Sequence, residues 1–164
     1  MEIRLFTDAI KRRRSVFKEC EYLSDWQVHS AHLTAGAINL VTGGSEPGPV
    51  YLPMPTGSGK TTGAVWGIVE FVEKYPDKKI CFLTPSQDSV DQVYSQLVNY
   101  LSQDVVGYYH SNGSTNKYIE LEKQVLVITH SFVEYNYGKL DDRDCFIVDE
   151  AIYATGEAQL KLEH

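Results

Sequence analysis

Cysteine is scarce in this chain of 164 residues, which contains only Cys20, Cys81 and Cys145. No two of them stand in a C-x-x-C spacing, which argues against a zinc site and against a thiol redox motif. Cys81 and Cys145 lie within apolar runs. We therefore predict that these two are buried, reduced thiols that act as small apolar side chains.

Long apolar segments are also missing. No run reaches the roughly 18 to 20 residues that a membrane-spanning helix needs, and Met1–Phe6 lacks the apolar stretch of a secretion signal. We therefore expect a soluble, cytoplasmic protein without a membrane partner. The hydrophobic share of 43% and the charged share of 23% are ordinary for a folded chain, and the length fits one domain.

The chain lacks an excess of positive charge, since its net charge is −7. A compact module that binds nucleic acid by charge alone is usually basic. One segment, Lys11–Arg14, nevertheless holds four consecutive cationic residues. Two interpretations of this run stay open, a solvated helix face or a contact with a phosphate backbone.

The apolar pattern indicates the fold class. Residues 2–22 have helical spacing, and Ser24 with Gln27 resembles a capping box that begins a second helix, from Asp25 to about Val41. Short apolar runs then alternate with helical segments, and unbroken runs of this kind are typical of parallel strands buried on both faces. We predict an α/β fold with a mostly parallel central sheet and helices on both faces. The runs are Val50–Leu52, Ile80–Leu83, Val105–Tyr109, Val125–Ile128 and Cys145–Val148.

A glycine-rich loop occupies Pro55–Thr62. Its Gly59-Lys60-Thr61 matches the end of the phosphate-loop pattern G-x-x-x-x-G-K-[ST], with an apolar run before it and a helical pattern after it. Backbone N–H groups of such a loop and the start of the next helix hold phosphate. We therefore predict an ATP site in which Lys60 reaches the β- and γ-phosphates and the Thr61 hydroxyl binds Mg²⁺. The predicted nucleotide-binding residues of the loop are Thr56, Gly57, Ser58, Gly59, Lys60, Thr61 and Thr62.

An acidic pair, Asp149 and Glu150, follows the last apolar run. This is the Walker B arrangement, in which the aspartate holds Mg²⁺ and the glutamate orients and deprotonates the attacking water. The alternatives are a solvent-facing acidic pair and, for the loop, a glycine-rich turn with an exposed lysine. Since both motifs are present in one chain, we assign metal binding to Thr61 and Asp149 and catalysis to Glu150 and Lys60.

In this order the motifs resemble superfamily 2 helicases of the DEAD/DEAH-box type, over about residues 24 to 153. The resemblance implies the N-terminal RecA-like lobe of a P-loop NTPase, a three-layer sandwich that binds ATP and Mg²⁺ and works on DNA or RNA together with a second lobe. The segments that carry it are Pro55–Thr61 (motif I), Phe82–Ser86 with the helix of Gln92 (motif Ia), Val127–His130 (a later strand end) and Asp149–Ile152 (motif II).

Further site residues are implied by this resemblance alone. Pro85, Ser86 and Thr129 match positions that touch the phosphate backbone of a bound strand, although turn and strand-end chemistry would also explain them. Gln27 matches the glutamine that reads adenine, although its capping role with Ser24 is an equal alternative.

Three features depart from the family pattern. Ile152 replaces the last residue of the box, which couples ATP to the second lobe, and Met54 replaces the small first residue of motif I. The chain also stops soon after motif II, and Leu162–His164 resembles the start of an expression tag. We expect an N-terminal helical segment over residues 1–48, the ATP-binding lobe over 49–161 and a tag remnant over 162–164.

The sequence therefore predicts the first motor lobe of a helicase or translocase. Without its second lobe, it should bind ATP weakly, hydrolyse it very slowly and unwind nothing. Two alternatives stay open. One is another P-loop ATPase, such as a phage DNA-packaging motor, and the other is a degenerate nucleotide-binding module that serves protein interaction.

Overall fold

The structure, a computed structural model, describes residues 2–17, 21–44, 49–55, 57–113 and 115–150. Cys20, Thr56, Ile152 and residues 162–164 lie outside these ranges. The chain divides into two compact units, Met1–Glu70 and Phe71–His164. The domain limits at residues 48 and 161 stay predictions.

Helices make up the first unit. They are α1 (Glu2–Val16), α2 (Asp25–Thr42) and α3 (Lys60–Lys74), the last of which continues into the second unit. The capping box is confirmed, because the side-chain oxygen of Gln27 accepts hydrogen bonds from the Ser24 backbone N–H and hydroxyl, each at 3.0 Å. The first helix ends at Val16, six residues before its predicted limit.

Helices α2 and α3 approach closely where α3 carries glycine. A Cβ atom on Gly63 would lie 2.5 Å from the backbone oxygen of Ala31, and one on Gly67 would lie 2.5 Å from the Cδ1 atom of Ile38. At Gly63 the neighbour is backbone, so a side chain there would push the two helices apart, whereas at Gly67 the Ile38 side chain would have to move. Glycine spacing along α3 therefore fixes how α3 lies against α2.

A four-stranded sheet forms the centre of the second unit. Its strands are β1 (Ile80–Thr84), β2 (Val106–Tyr109), β3 (Val125–Thr129) and β4 (Cys145–Val148). They are parallel throughout and lie in the order β2-β3-β1-β4, which confirms the predicted parallel sheet. The connecting helices are α4 (Gln87–Leu97), α5 (Lys117–Glu120) and α6 (His130–Asn136), with a 3₁₀ turn at Tyr137–Leu140.

Helices cover both faces of this sheet, as predicted. Tyr108 and Tyr109 are neighbours in β2, so their side chains point to opposite faces. Tyr108 packs against Tyr94 of α4, with ring centroids 4.3 Å apart, and Tyr109 packs against Phe132 of α6, with centroids 5.6 Å apart. Every residue of β1 and β3 is buried. The second unit is therefore a three-layer α/β arrangement.

The prediction of a strand at Val50–Leu52 is wrong. The structure has no strand there, and all three side chains are exposed, Tyr51 by 77%. The described part of the first unit contains no other strand with which this run can form a ladder, and Pro53 lacks a backbone N–H. A short apolar run is therefore not sufficient for a strand when a pairing partner is missing.

One strand is less buried than its apolar sequence predicts. In β4, Phe146 and Val148 are 46% and 40% exposed. β4 lies at the edge of the four described strands, so it has a neighbouring strand, β1, on one side. Burial on both faces, which the unbroken apolar run suggested, holds for the two inner strands.

Arg143 ties the amino ends of the strands together. Its guanidinium is buried and donates hydrogen bonds to three backbone oxygens, those of Leu121 at 2.6 Å, Gln124 at 2.9 Å and Ile80 at 3.3 Å. A charged group that satisfies several carbonyls holds the segments that carry them in place. One side chain thus fixes the entry into β1 and β3 next to the start of β4.

The cysteine prediction is confirmed for the two described residues. Cys81 and Cys145 are buried and form no disulfide. Burial raises the pKa of Cys81 to about 12 and that of Cys145 to about 11. Both thiols are therefore protonated at neutral pH, which leaves them unsuited to nucleophilic or metal chemistry. None of the helices in the described ranges combines the length and the apolar character that crossing a bilayer requires.

The close approach of α2 and α3 can be tested with two alanine substitutions. Gly63→Ala should lower the free energy of unfolding by about 1–2 kcal/mol, because the new methyl group meets the Ala31 carbonyl. Gly36→Ala, in α2, is the matched control, since a Cβ atom there has no neighbour within 4 Å. This control should raise the free energy of unfolding by about 0.5–1 kcal/mol, through helix propensity alone. Urea unfolding measures both, and equal effects of the two substitutions would contradict the packing described.

Candidate functional site

The phosphate-loop segment has the backbone shape that its glycines permit. Gly57 and Gly59 have φ angles of +78° and +82°, in the left-handed region that side chains disfavour. Between them, the Ser58 N–H donates to the Pro55 oxygen at 3.2 Å and closes a turn. Helix α3 begins directly afterwards at Lys60. The first N–H groups of α3 therefore follow the loop at once, and a helix start of this kind attracts anions.

The polar groups of the loop fit a phosphate. The Ser58 side chain is fully buried, and its hydroxyl has no hydrogen-bond partner among the described residues. A buried hydroxyl without a partner is unusual and indicates a missing ligand atom or water. Lys60, Thr61 and Thr62 are partly buried in the first turn of α3. The loop, the helix start and this hydroxyl together suit the oxygens of a phosphate chain.

Gln27 contacts the loop as well as capping α2. Its side-chain N–H donates to the Gly57 oxygen at 3.0 Å. A Cβ atom on Gly59 would lie 2.9 Å from the backbone oxygen of Gln27, so glycine is needed where the loop passes the helix. The sequence missed this contact because the two residues lie 30 positions apart. The capping role is confirmed, whereas the adenine-reading role stays a prediction.

The acidic pair ends β4 at the carboxyl edge of the sheet. The Asp149 N–H donates to the Leu83 oxygen at 2.8 Å, which continues the pairing of β4 with β1 by one residue. The Asp149 side chain is partly buried, and Glu150 is exposed. Glu150 has a φ of +52°, a conformation that a non-glycine residue adopts rarely and often at functional sites. The chain therefore turns sharply at the glutamate.

The residues predicted to contact nucleic acid lie along this same edge, because the carboxyl ends of parallel β-strands lie on one side of the sheet. Pro85 and Ser86 are exposed, whereas Thr129 is only 8% exposed. Ser86 caps α4 by accepting a hydrogen bond from the Ser89 N–H at 3.2 Å, and Thr129 caps α6 by accepting one from the Phe132 N–H at 3.3 Å. Both hydroxyls thus have local structural roles, in line with the alternative of turn and strand-end chemistry, and contact with nucleic acid stays a prediction.

Three polar residues extend this edge beyond the predicted set. The Gln87 side chain donates to the Ser111 hydroxyl at 3.0 Å and accepts from the Asn112 amide at 2.8 Å. These bonds join the first turn of α4 to the loop after β2. Uncharged residues in a turn give no sequence signal of function, so the pattern alone could not single them out.

The four residues of the basic run Lys11–Arg14 have different environments in the structure. Arg13 binds Glu70 of α3 through two hydrogen bonds, at 2.8 and 3.0 Å, and its guanidinium also contacts the His32 ring of α2. Lys11 and Arg12 are exposed, and Arg14 pairs with an exposed aspartate. The solvated-face interpretation therefore fits the other three residues, whereas Arg13 is a structural link that neither interpretation included.

Nearby charge and burial shift the pKa values of the two partners of Arg13, Glu70 and His32. Burial tends to raise the pKa of Glu70, but hydrogen bonds from Arg13 and Asn39 outweigh it, and the pKa is lowered. Burial and the nearby charge of Arg13 lower the pKa of His32. The lowered pKa favours the neutral ring of His32, whose Nδ1 atom contacts the Arg13 guanidinium.

Metal-ligating side chains do not cluster within the described ranges, where no group of three or more His, Cys, Asp or Glu residues could hold an ion. A Mg²⁺ ion in a phosphate-loop site keeps waters and substrate oxygens and needs few protein ligands. The predicted ligands, Thr61 and Asp149, belong to different units, and their role in metal binding stays a prediction.

Comparison with known families gives one match. The family model described as DEAD/DEAH box helicase matches residues 32–160, which include the phosphate loop and the acidic pair. None of the curated proteins matches the chain. The matched range begins after Gln27 and leaves out α1.

The neutral state of His32 predicts how stability depends on pH. Because the folded-state pKa lies below the ordinary 6.5, the unfolded chain binds a proton that the folded chain resists. The free energy of unfolding should therefore fall as the pH is lowered from 7.5 to 5.5. His32→Gln keeps a hydrogen-bond acceptor without titrating, so it should lose less stability over this range. Urea unfolding at the two pH values measures the difference, and equal losses would exclude His32 as the cause.

Proposed function

Because the chain belongs to the DEAD/DEAH box helicase family, we propose that it is the ATP-binding first motor lobe of a nucleic-acid-dependent ATPase. Joined to a second lobe, it would use Mg-ATP hydrolysis to move on or unwind DNA or RNA. The phosphate loop carries this proposal, since Gly57 and Gly59 already have left-handed backbones and α3 starts at Lys60. The family match favours this function over a packaging motor.

The loop residues have roles that their chemistry supports. The backbone N–H groups around Gly57 and Gly59 and the first turn of α3 bind phosphate oxygens, and the buried Ser58 hydroxyl gains a partner there. Lys60 neutralises charge on the β- and γ-phosphates. We assign the adenine contact to Gln27, whose amide keeps a second N–H for this purpose beside the one bound to Gly57.

The acidic pair supplies the hydrolytic half of the proposed chemistry. We assign the protein ligands of Mg²⁺ to Thr61 and Asp149, and the ion would offset the negative charge of the phosphates when bound. Glu150 accepts the proton of the attacking water. Its exposure at the carboxyl edge of the sheet leaves the carboxylate accessible to that water.

Contact with a nucleic-acid strand, through Pro85, Ser86 and Thr129, would rely on neutral groups. No lysine or arginine occurs within residues 84–88, 110–113 or 129–131, at the ends of three strands, and Asp88 is exposed there. Hydroxyl, amide and backbone groups position a phosphate backbone without much charge. This supports weak binding of nucleic acid by the lobe alone. We propose that a second lobe completes the cleft.

Nucleotide titration tests the proposed site. Lys60→Ala should weaken the binding of a fluorescent ATP analogue with Mg²⁺ at least about tenfold, because it removes a charged phosphate contact. Lys74→Ala is the matched control, since Lys74 ends the same helix and is exposed. Glu150→Gln should bind like the parent but hydrolyse ATP more slowly. Equal binding by the parent and the Lys60 variant would refute the site.

Hydrolysis separates the motor lobe from a degenerate nucleotide-binding module. We expect slow but measurable turnover in the parent chain, lost in Glu150→Gln, and no unwinding of a duplex. Turnover that is unchanged in Glu150→Gln would remove the catalytic assignment. Fast turnover that a nucleic-acid strand stimulates would contradict the need for a second lobe.

A further inference from the structure

Helix α2 contacts the phosphate loop at two points on one face. The Gln27 side chain donates to the Gly57 oxygen at 3.0 Å. At position i+7 of the same helix, the Thr34 hydroxyl lies 3.4 Å from the sulfur of Met54, the residue just before Pro55. Residues seven apart lie on the same side of a helix. The same face of α2 therefore contacts Gly57 within the loop and Met54 directly before it.

The Thr34 hydroxyl has one hydrogen and two acceptors. It is buried, at 7% exposure, and besides the Met54 sulfur it lies 3.0 Å from the Ser30 backbone oxygen. A thioether is the weaker acceptor of the two. The bond to Ser30 satisfies the hydroxyl within α2, and the Met54 sulfur forms a second, weaker contact that holds this residue against the helix.

Met54 has the reach that this contact needs. The phosphate-loop pattern has a small residue at this position, and a small side chain has no atoms beyond Cβ to reach Thr34. Methionine is long, unbranched and flexible, so it fills irregular space against a neighbouring helix. Met54 is only partly buried and is not among the buried core residues. Its contact with α2 thus contributes little to the hydrophobic core of the unit.

We propose that Met54 is a positioning residue of the phosphate site, which keeps the start of the loop on α2 through Thr34. This inference rests on the proposed function of the loop. Fixing a segment that contains Gly57 and Gly59 costs conformational entropy, because glycine is the least restricted residue. A loop held in advance at Met54 and Gly57 leaves less of this cost to the binding step, which raises nucleotide affinity.

Two substitutions remove the contact from opposite sides. Thr34→Val removes the hydroxyl and nearly keeps the shape, and Met54→Ala removes the thioether. Each should weaken the binding of a fluorescent ATP analogue with Mg²⁺ about three- to tenfold, the effect of one modest hydrogen bond or packing contact. Thr34→Ser keeps the hydroxyl and should restore binding close to that of the parent.

A matched control lies on the same helix. The Thr42 hydroxyl donates to the Ile38 backbone oxygen at 2.8 Å, the same kind of bond that Thr34 makes to Ser30, but none of the described loop residues is its partner. Thr42→Val should therefore leave nucleotide affinity unchanged. Circular dichroism and urea midpoints confirm that each variant is folded at the titration temperature. A merely structural role of Thr34 would change the midpoint and leave the affinity of the folded variant unaltered.

The outcomes separate this inference from the proposed function. If Lys60→Ala binds nucleotide as well as the parent, the phosphate site itself is wrong. If Lys60→Ala loses binding while the Thr34→Val and Met54→Ala variants keep the parental affinity, only the positioning role is wrong. Failure of Thr34→Ser to restore binding would also overturn it, because the hydroxyl would then not be the responsible group.

Discussion

The contact between α2 and α3 is the constraint on which the first unit depends. Gly63 leaves no room for a side chain against the Ala31 backbone, and Gly67 faces the Ile38 side chain, so α3 lies close against α2. This fixes the start of α3 beside the first turns of α2, within reach of side chains from that helix. The loop that ends at Lys60 is therefore shaped from two directions, by its own glycines and by α2. The helix pair thus positions the loop, and the contacts of α2 with Gly57 and Met54 are the basis of the proposed preorganisation.

The second unit uses a different constraint, the common direction of its strands. Because all four strands are parallel, every carboxyl end lies at one edge, and the chain places its polar residues there. At the opposite edge, Arg143 joins the amino ends through three backbone oxygens. The amino ends are thereby held by structural hydrogen bonds, while Ser86, Thr129 and Asp149 lie at the carboxyl ends. The proposed chemistry uses the carboxyl ends.

Much of the fold could be predicted because apolar periodicity is a local signal. It identified α2, α3 and the four strands of the sheet to within about two residues at most ends. It missed α5, which is only four residues long, Lys117–Glu120, and mostly polar. It also proposed a strand at Val50–Leu52, since the pattern says nothing about pairing partners. The candidate site could also be predicted only in part. Its motif residues were visible in the sequence. The contacts of Gln27 and Thr34 with Gly57 and Met54 were not, because they join segments that lie far apart in the chain.

The most direct test of the central claim is a ¹H–¹⁵N NMR titration of the labelled chain with Mg-ATP. If the loop is the phosphate site, the largest shifts should come from the backbone amides of residues 57–61, which would bind the phosphates directly. The amides of α5, on a helix that packs against β2, serve as an internal reference and should remain near their starting positions. Shifts that spare residues 57–61, or that are no larger there than in α5, would contradict the account.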